Sequence, residues 1–280
     1  MGKLKKRIVK DFTFSFIITV LAFIACIPLI LILGFVIKNG VSSINLDFFI
    51  HLPKPIGEVG GGISNAIIGT FIITGIAFLL ATPLSILAGI YLSENRKSAF
   101  SEILRTSVDI LSSIPSIVIG IIAYLWIVKP MKTFSAFSGG IALAIIMLPI
   151  VIKSTEETFA MIPYSLKEAS FALGVPYYRT MLKVIFPAGL SGVITGTLIA
   201  ISRIAGETAP LLFTAFGNPF MNLNITKPMN AIPLVVFNYS TSPYKQWHQI
   251  AWASALVLLI IVLTLNILSR VIARKWKAKF

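Results

Sequence analysis

Five stretches of this chain carry no Asp, Glu, Lys or Arg: residues 12–37, 59–93, 110–128, 133–152 and 246–269. A sixth, 188–213, interrupts its apolar run only with Arg203 and Glu207. Each can supply the ~20 residues that cross a bilayer core as a helix. None has the strict alternation of a barrel strand, so helices are the spanning element that satisfies the backbone. Only 12% of the 280 residues are charged, against about 25% in a soluble domain. The sequence predicts an all-α, polytopic membrane protein with six transmembrane helices.

The net charge of +14 raises the question of nucleic acid, and the placement of the charges argues against it. With the N-terminus in the cytoplasm and six spans, seventeen of the 24 Lys and Arg residues fall in inside segments and six in outside ones. The remaining one, Arg203, lies in a span. That is the positive-inside bias, with both termini cytoplasmic. The start, MGKLKKRIVKDF, resembles the basic region of a signal peptide, but no small-residue cleavage site follows its long apolar run, so a retained anchor is expected. Cys26, the only cysteine, excludes an intramolecular disulfide. The chain divides into an N-terminal segment with the first span and an external stretch (1–62), a transmembrane core (63–272) and a basic cytoplasmic tail (273–280).

Prolines punctuate the spans. Pro83 and Pro115 lie within the second and third, and Pro149 lies near the end of the fourth. Each removes a ladder hydrogen bond, tolerated where packed helices, hydroxyls or water satisfy the freed group. No internal repeat is visible. Two longer polar segments stand out, one cytoplasmic (about 153–187) and one external (about 214–249). Within the first, IPYSLKEASFALG reads as a short helix stopping at Gly174, and YYRTMLKVIF as a second helix ended by Pro187. Leu166, Ala169, Ser170 and Leu173 share one helical face. That face suits a soluble partner, or equally a helix lying on lipid.

Glu168-Ala169-Ser170, three residues, Gly174, nine residues and Val184-Ile185-Phe186-Pro187 resemble the EAA motif of ABC-importer permeases. Ser170, Val184 and Phe186 replace Ala, Ile and Leu of that pattern. The loop lies between the fourth and fifth spans, as in the family. The resemblance implies a type I importer permease fold of the MetI-like kind, with Glu168, Ala169, Ser170, Gly174 and Pro187 in the loop that seats on an ATPase subunit. The blocks GGISNAIIGT, IYLSE, SIPSIVIG, SRIAGETAPLL and NYSTSPYKQWHQIAWASALVLL are similar, in this order, to PstA-type permeases of phosphate ABC importers. This implies a PstC-like permease partner, two ATPase copies and an external phosphate-binding protein. No cofactor is expected in this chain, because ATP and Mg would be bound by the partner ATPase.

The candidate pathway residues are Arg203, Glu207 and Thr208. An Arg at mid-span costs ~2.5–3.5 kcal/mol on insertion scales. Its i, i+4 partner Glu207 softens that penalty, although acid-before-base is the better order. Counting ~1.5 Å per residue from 188 puts Arg203 ~22 Å in, past the midplane. Gly206 and Pro210 weaken the helix here. Two readings stand side by side. In one, Arg203 lines a route and offers transient charge to phosphate while Glu207 keeps it from trapping the anion. In the other, the pair is a buried clamp fixing helix register against the partner permease.

A rival class is an intramembrane enzyme using Glu207 as acid or base. No His–Glu zinc motif is present, the two histidines, His51 and His248, fall in or near outside segments, and no Gly-rich phosphate loop occurs. No catalytic or metal-binding residue is therefore assigned. Among transporters, the alternative is an importer of another oxyanion, molybdate or sulfate.

Overall fold

A computed structural model describes residues 2–275 except residue 59. The expected tail positions Lys277 and Lys279 lie outside the described residues. In chain order the helices are α1 (Gly2–Gly40), α2 (Leu46–Ile50), α3 (Ser64–Glu94), α4 (Ala99–Ser113), α5 (Ser116–Ala123), α6 (Lys129–Met131), α7 (Ala136–Ala160), α8 (Tyr164–Ala172), α9 (Tyr177–Thr180), α10 (Phe186–Ile204), α11 (Ala209–Thr214), α12 (Ile232–Ser240) and α13 (Lys245–Lys275). Among the described residues no strand forms, only an isolated bridge between Phe216 and Met229.

Among the described residues, five continuous helical stretches are long and apolar enough to cross a membrane: Lys10–Ser43, Ser64–Glu94, Ala136–Ala160, Tyr177–Ile204 and Lys245–Lys275. The third expected span, 110–128, is not one straight helix. Residues 110–113 finish α4, and the chain turns by 101° before Ser116 starts the next helix. The cause is local. Ile114 precedes Pro115 and takes extended dihedrals, φ −69° and ψ 128°, as the residue before a proline favours. The amphipathic α4, with Glu102, Arg105 and Asp109, cannot share the path of the apolar α5. Six spans result when this bent pair is counted as one.

The central helix is α7. Its apolar middle is largely buried inside the bundle, while the apolar stretch of α1 is exposed. α3 lies along α7, and α10, α4, α5 and α11 pack on its other faces. Ile73, Leu143, Met147, Ile204, Leu211 and Leu234 form the core of this contact. α13 lies against α10, α12 and α1. α1 touches it near Phe35, whose ring meets Trp252 edge-on at 5.3 Å.

Pro187 does not end its helix. Met181–Ile185 form a π-helical turn, Phe186 N–H bonds to Met181 O, and the helix continues through Pro187 to Ile204. A π-turn leaves a carbonyl without its usual donor, and a proline has no donor to give. The same pairing recurs at Tyr124–Val128, followed by Pro130. α7 also outruns its expected end near residue 152, continuing to Ala160.

The segment 214–249, expected to be a polar external stretch, is partly buried. In α12, Ile232, Pro233, Leu234 and Val235 are buried, and Ile232 N–H donates to Thr70 Oγ1 of α3 at 2.9 Å. Ahead of it, Ala136 and Phe137 N–H donate to Lys227 and Ile225 carbonyls. The loop thereby satisfies orphan donors at the start of α7.

Candidate functional site

Two places concentrate the residues singled out in the sequence. The first is a break in the bundle. α10 stops at Ile204, Gly206 N–H and Glu207 N–H close a tight turn onto Arg203 O and Ile204 O, and α11 begins at Ala209. Pro210 at the start of α11 lies against Gly120 of α5, where a Cβ would meet Pro210 Cα at 2.7 Å. Only glycine lets α5 and α11 approach this closely. This contact brings the break after Pro115 beside the break after Ile204.

Between the two breaks is a cavity of about 160 Å³. Its walls include Ser112, Pro115, Ser116, Ile119, Ile146, Pro149, Ile150, Arg203 and Glu207. The α7 residues in that wall lie near the middle of the helix, so Arg203 sits at mid-depth of the bundle. The first turn of α5 carries no side-chain cap, and helix N-termini favour anions. Arg203 Nε lies 3.8 Å from Glu207 Oε1, with 59% of the Arg side chain and 19% of the Glu side chain exposed. The Glu207 side chain is mostly covered, whereas the Arg203 side chain is more than half exposed. A clamp between helices would therefore need a second chain to cover Arg203. Thr208 precedes α11 and is not among the cavity walls.

The second place is the helical hairpin α8–α9. Gly174 has φ +74°. Gly174 N–H bonds to Phe171 O and Val175 N–H to Ser170 O, the paired bonds of a Schellman C-cap. Glu168 and Ala169 are exposed, and Ser170 is buried. Ser170 Oγ lies 2.8 Å from Thr180 Oγ1, so the hydroxyl that departs from the EAA pattern ties the two arms together. The expected single face of α8 is divided. Ser170 is buried and Leu166 packs on Phe159, Ile185 and Val193, whereas Leu173 is 83% exposed. A helix of nine residues that packs on its own return arm cannot present all four.

Sequence reading missed what anchors this hairpin. Lys167 Nζ pairs with Glu94 Oε1 at the end of α3, and Tyr177 Oη donates to Glu94 Oε2 at 3.3 Å. Nearby, Arg105 Nε meets Glu156 at 2.7 Å while its Nη1 and Nη2 donate to the carbonyls of Arg96 and Leu92. Arg96 Nη2 in turn donates to Ala160 O. Two arginines thus satisfy carbonyls in the last turns of α3 and α7, Arg105 at Leu92 O and Arg96 at Ser93 O and Ala160 O. The IYLSE block contained Glu94, but nothing adjacent in sequence pointed to its partners.

A bent-helix bundle with a charged mid-depth cavity and a helical hairpin projecting from one end is the architecture of a transport permease. The family described as "Binding-protein-dependent transport system inner membrane component" matches residues 81–278, and the chain belongs to it. Its relatives narrow the kinship to PstA permeases. The chain is 44% identical over 250 residues to the "Phosphate transport system permease protein PstA" of Yersinia pestis, covering 89% of this chain and 85% of the relative. It is 38% identical over 260 residues to the "Probable phosphate transport system permease protein PstA" of Methanocaldococcus jannaschii, covering 92% of each. Among solved structures, a chain of the MetNI methionine ABC transporter in an inward-facing conformation matches with TM-score 0.59 and 19% identity, covering 78% of this chain and 95% of that one. A chain of a bacterial alginate ABC transporter matches with TM-score 0.65 and 12% identity, covering 92% and 95%. These structures share the fold.

Proposed function

We propose that this chain is the PstA-like permease subunit of an ATP-driven phosphate importer, working in the plasma membrane of a prokaryote. The observation that carries the reading is the asymmetric pair: Arg203 presents its guanidinium at mid-depth while Glu207 holds it from the protein side. A guanidinium offers charge and several donors to phosphate oxygens. The uncapped start of α5 adds partial positive charge on the same cavity. Glu207 limits how tightly the anion is held, and a transport site must release what it binds.

In this reading both termini and the hairpin α8–α9 face the cytoplasm, and the exposed Glu168, Ala169 and Gly174 dock on one of two ATPase copies while the buried Ser170 holds the arms of the loop together. ATP and Mg belong to that subunit, which performs the hydrolysis. A PstC-like permease completes the route, and an external phosphate-binding protein delivers the anion. Pro187 lies in the helix leaving the hairpin and acts through its geometry rather than by contact.

The direct test is uptake of labelled phosphate by a strain lacking its own PstA and carrying this gene. Uptake restored, with molybdate and sulfate failing to compete, supports the reading. Restored uptake of molybdate or sulfate in place of phosphate would establish the alternative oxyanion importer.

A further inference from the structure

One turn of α7 beyond Pro149 and Ile150, towards the hairpin, Lys153 Nζ lies 2.6 Å from Asp109 Oδ1 and 3.3 Å from Ser112 Oγ. Asp109 and Ser112 share a face of α4 at i, i+3. Ser112 is a wall of the Arg203 cavity. Lys153 and Asp109 are walls of the next one, about 460 Å³, which continues past Arg105, Glu156 and Arg96 to Ala160 at the end of α7. The two cavities share no wall residue, but the Lys153–Ser112 hydrogen bond joins them, so polar groups, Glu157 among them, run from mid-depth to the hairpin end of the bundle. Resting on the reading of Arg203 given above, we propose that Lys153 is a second oxyanion-binding station, taking inorganic phosphate from Arg203 on the inward half of the route.

Three features carry this. Lys153 and Asp109 belong to helices of the membrane-spanning bundle, yet their side chains are 43% and 64% exposed. A lipid-facing Lys–Asp pair at such a level is unfavourable, so this face borders water or another chain. Second, Lys153 repeats the arrangement at Arg203, a cation restrained by one carboxylate, which favours binding that is weak enough for release. Third, the neighbouring cation is different. Arg105 spends Nε, Nη1 and Nη2 on Glu156 and on the carbonyls of Arg96 and Leu92, so it clamps helix ends. The Lys153 ammonium, with three rotatable donors on a flexible stem, can turn from Asp109 and Ser112 to a phosphate oxygen.

The test uses the assembled importer with Cys26→Ala. Lys153→Gln should lower phosphate uptake about tenfold or more, the scale of one charged hydrogen bond, and Lys153→Arg should restore most of it. In the same background, Ser112→Cys should react faster with an anionic thiosulfonate than with a cationic one. Added inorganic phosphate should slow that reaction, chloride at equal ionic strength should not, and Lys153→Gln should remove the charge preference. If Lys153→Gln impairs assembly, the double change Lys153→Gln with Asp109→Asn removes both charges; it should assemble and still transport poorly. Normal uptake by Lys153→Gln, recovered uptake in the double variant, or reactivity at Ser112→Cys indifferent to charge and phosphate would overturn the station. Arg203→Gln measured in parallel separates the two ideas. Loss of uptake there with normal uptake in Lys153→Gln removes only the second station. Normal uptake in both removes the route through Arg203 as well.

Discussion

Lys167 and Glu94, 73 residues apart, form an ion pair that fixes the hairpin to the end of α3. Their side chains are only 13% and 15% exposed, and Tyr177 adds a second bond to the same carboxylate. Since α3 lies along α7, this pair connects the surface that would seat an ATPase with the wall of the central cavity.

Breaking that connection should uncouple the two ends. Lys167→Gln or Glu94→Gln leaves one charge poorly paired and should cost about 1–3 kcal/mol of local stability. The expected result is a complex that inserts and assembles but hydrolyses ATP with reduced phosphate uptake. The ratio of transport to hydrolysis in proteoliposomes measures this. An unchanged ratio in both variants would show the pair to be dispensable for coupling.

Gly174 should resist substitution for a backbone reason. Its φ is +74°, and no heavy atom lies within 4 Å of the position a Cβ would take. A side chain therefore fits in space but strains the backbone by about 1–2 kcal/mol, with Asn the mildest choice. Gly174→Leu should leave insertion intact and weaken ATPase docking, whereas Gly174→Asn should retain most uptake. Equal uptake by Gly174→Leu and the parent at matched expression would contradict the coupling role.

Orientation has its own test. In a Cys26→Ala background, a cysteine at the exposed Ser240 at the end of α12 should react with an impermeant thiol reagent from outside intact cells. One at the exposed Ser165 in α8 should react only after permeabilisation. The reverse pattern would put the hairpin on the wrong side for an ATPase.

The long spans were legible because charge is so costly in lipid that its absence marks them. Gly174 was legible too, since Leu-Gly-Val-Pro spells a helix stop. The spacing of Arg203 and Glu207 announced a pair, but its asymmetry depends on which side α5 and α7 approach. Pro115 signalled a disturbance without revealing its 101° size, which follows from the amphipathic α4 parting from an apolar successor. Pro187 misled because the π-turn before it absorbs the missing donor. Glu94–Lys167 and Lys153–Asp109 join distant segments, and only packing brings them together.

The central claim is that Arg203 meets the anion. Arg203→Gln keeps hydrogen bonding but loses the charge that stabilises a desolvated phosphate. If the pair served only to hold helices, removing both charges would relieve the unpaired group left by either single change. The decisive measurement is labelled phosphate uptake by the double variant Arg203→Gln, Glu207→Gln, in a complex verified to assemble. The account predicts that uptake stays abolished or severely reduced. Full uptake by that double variant would contradict it.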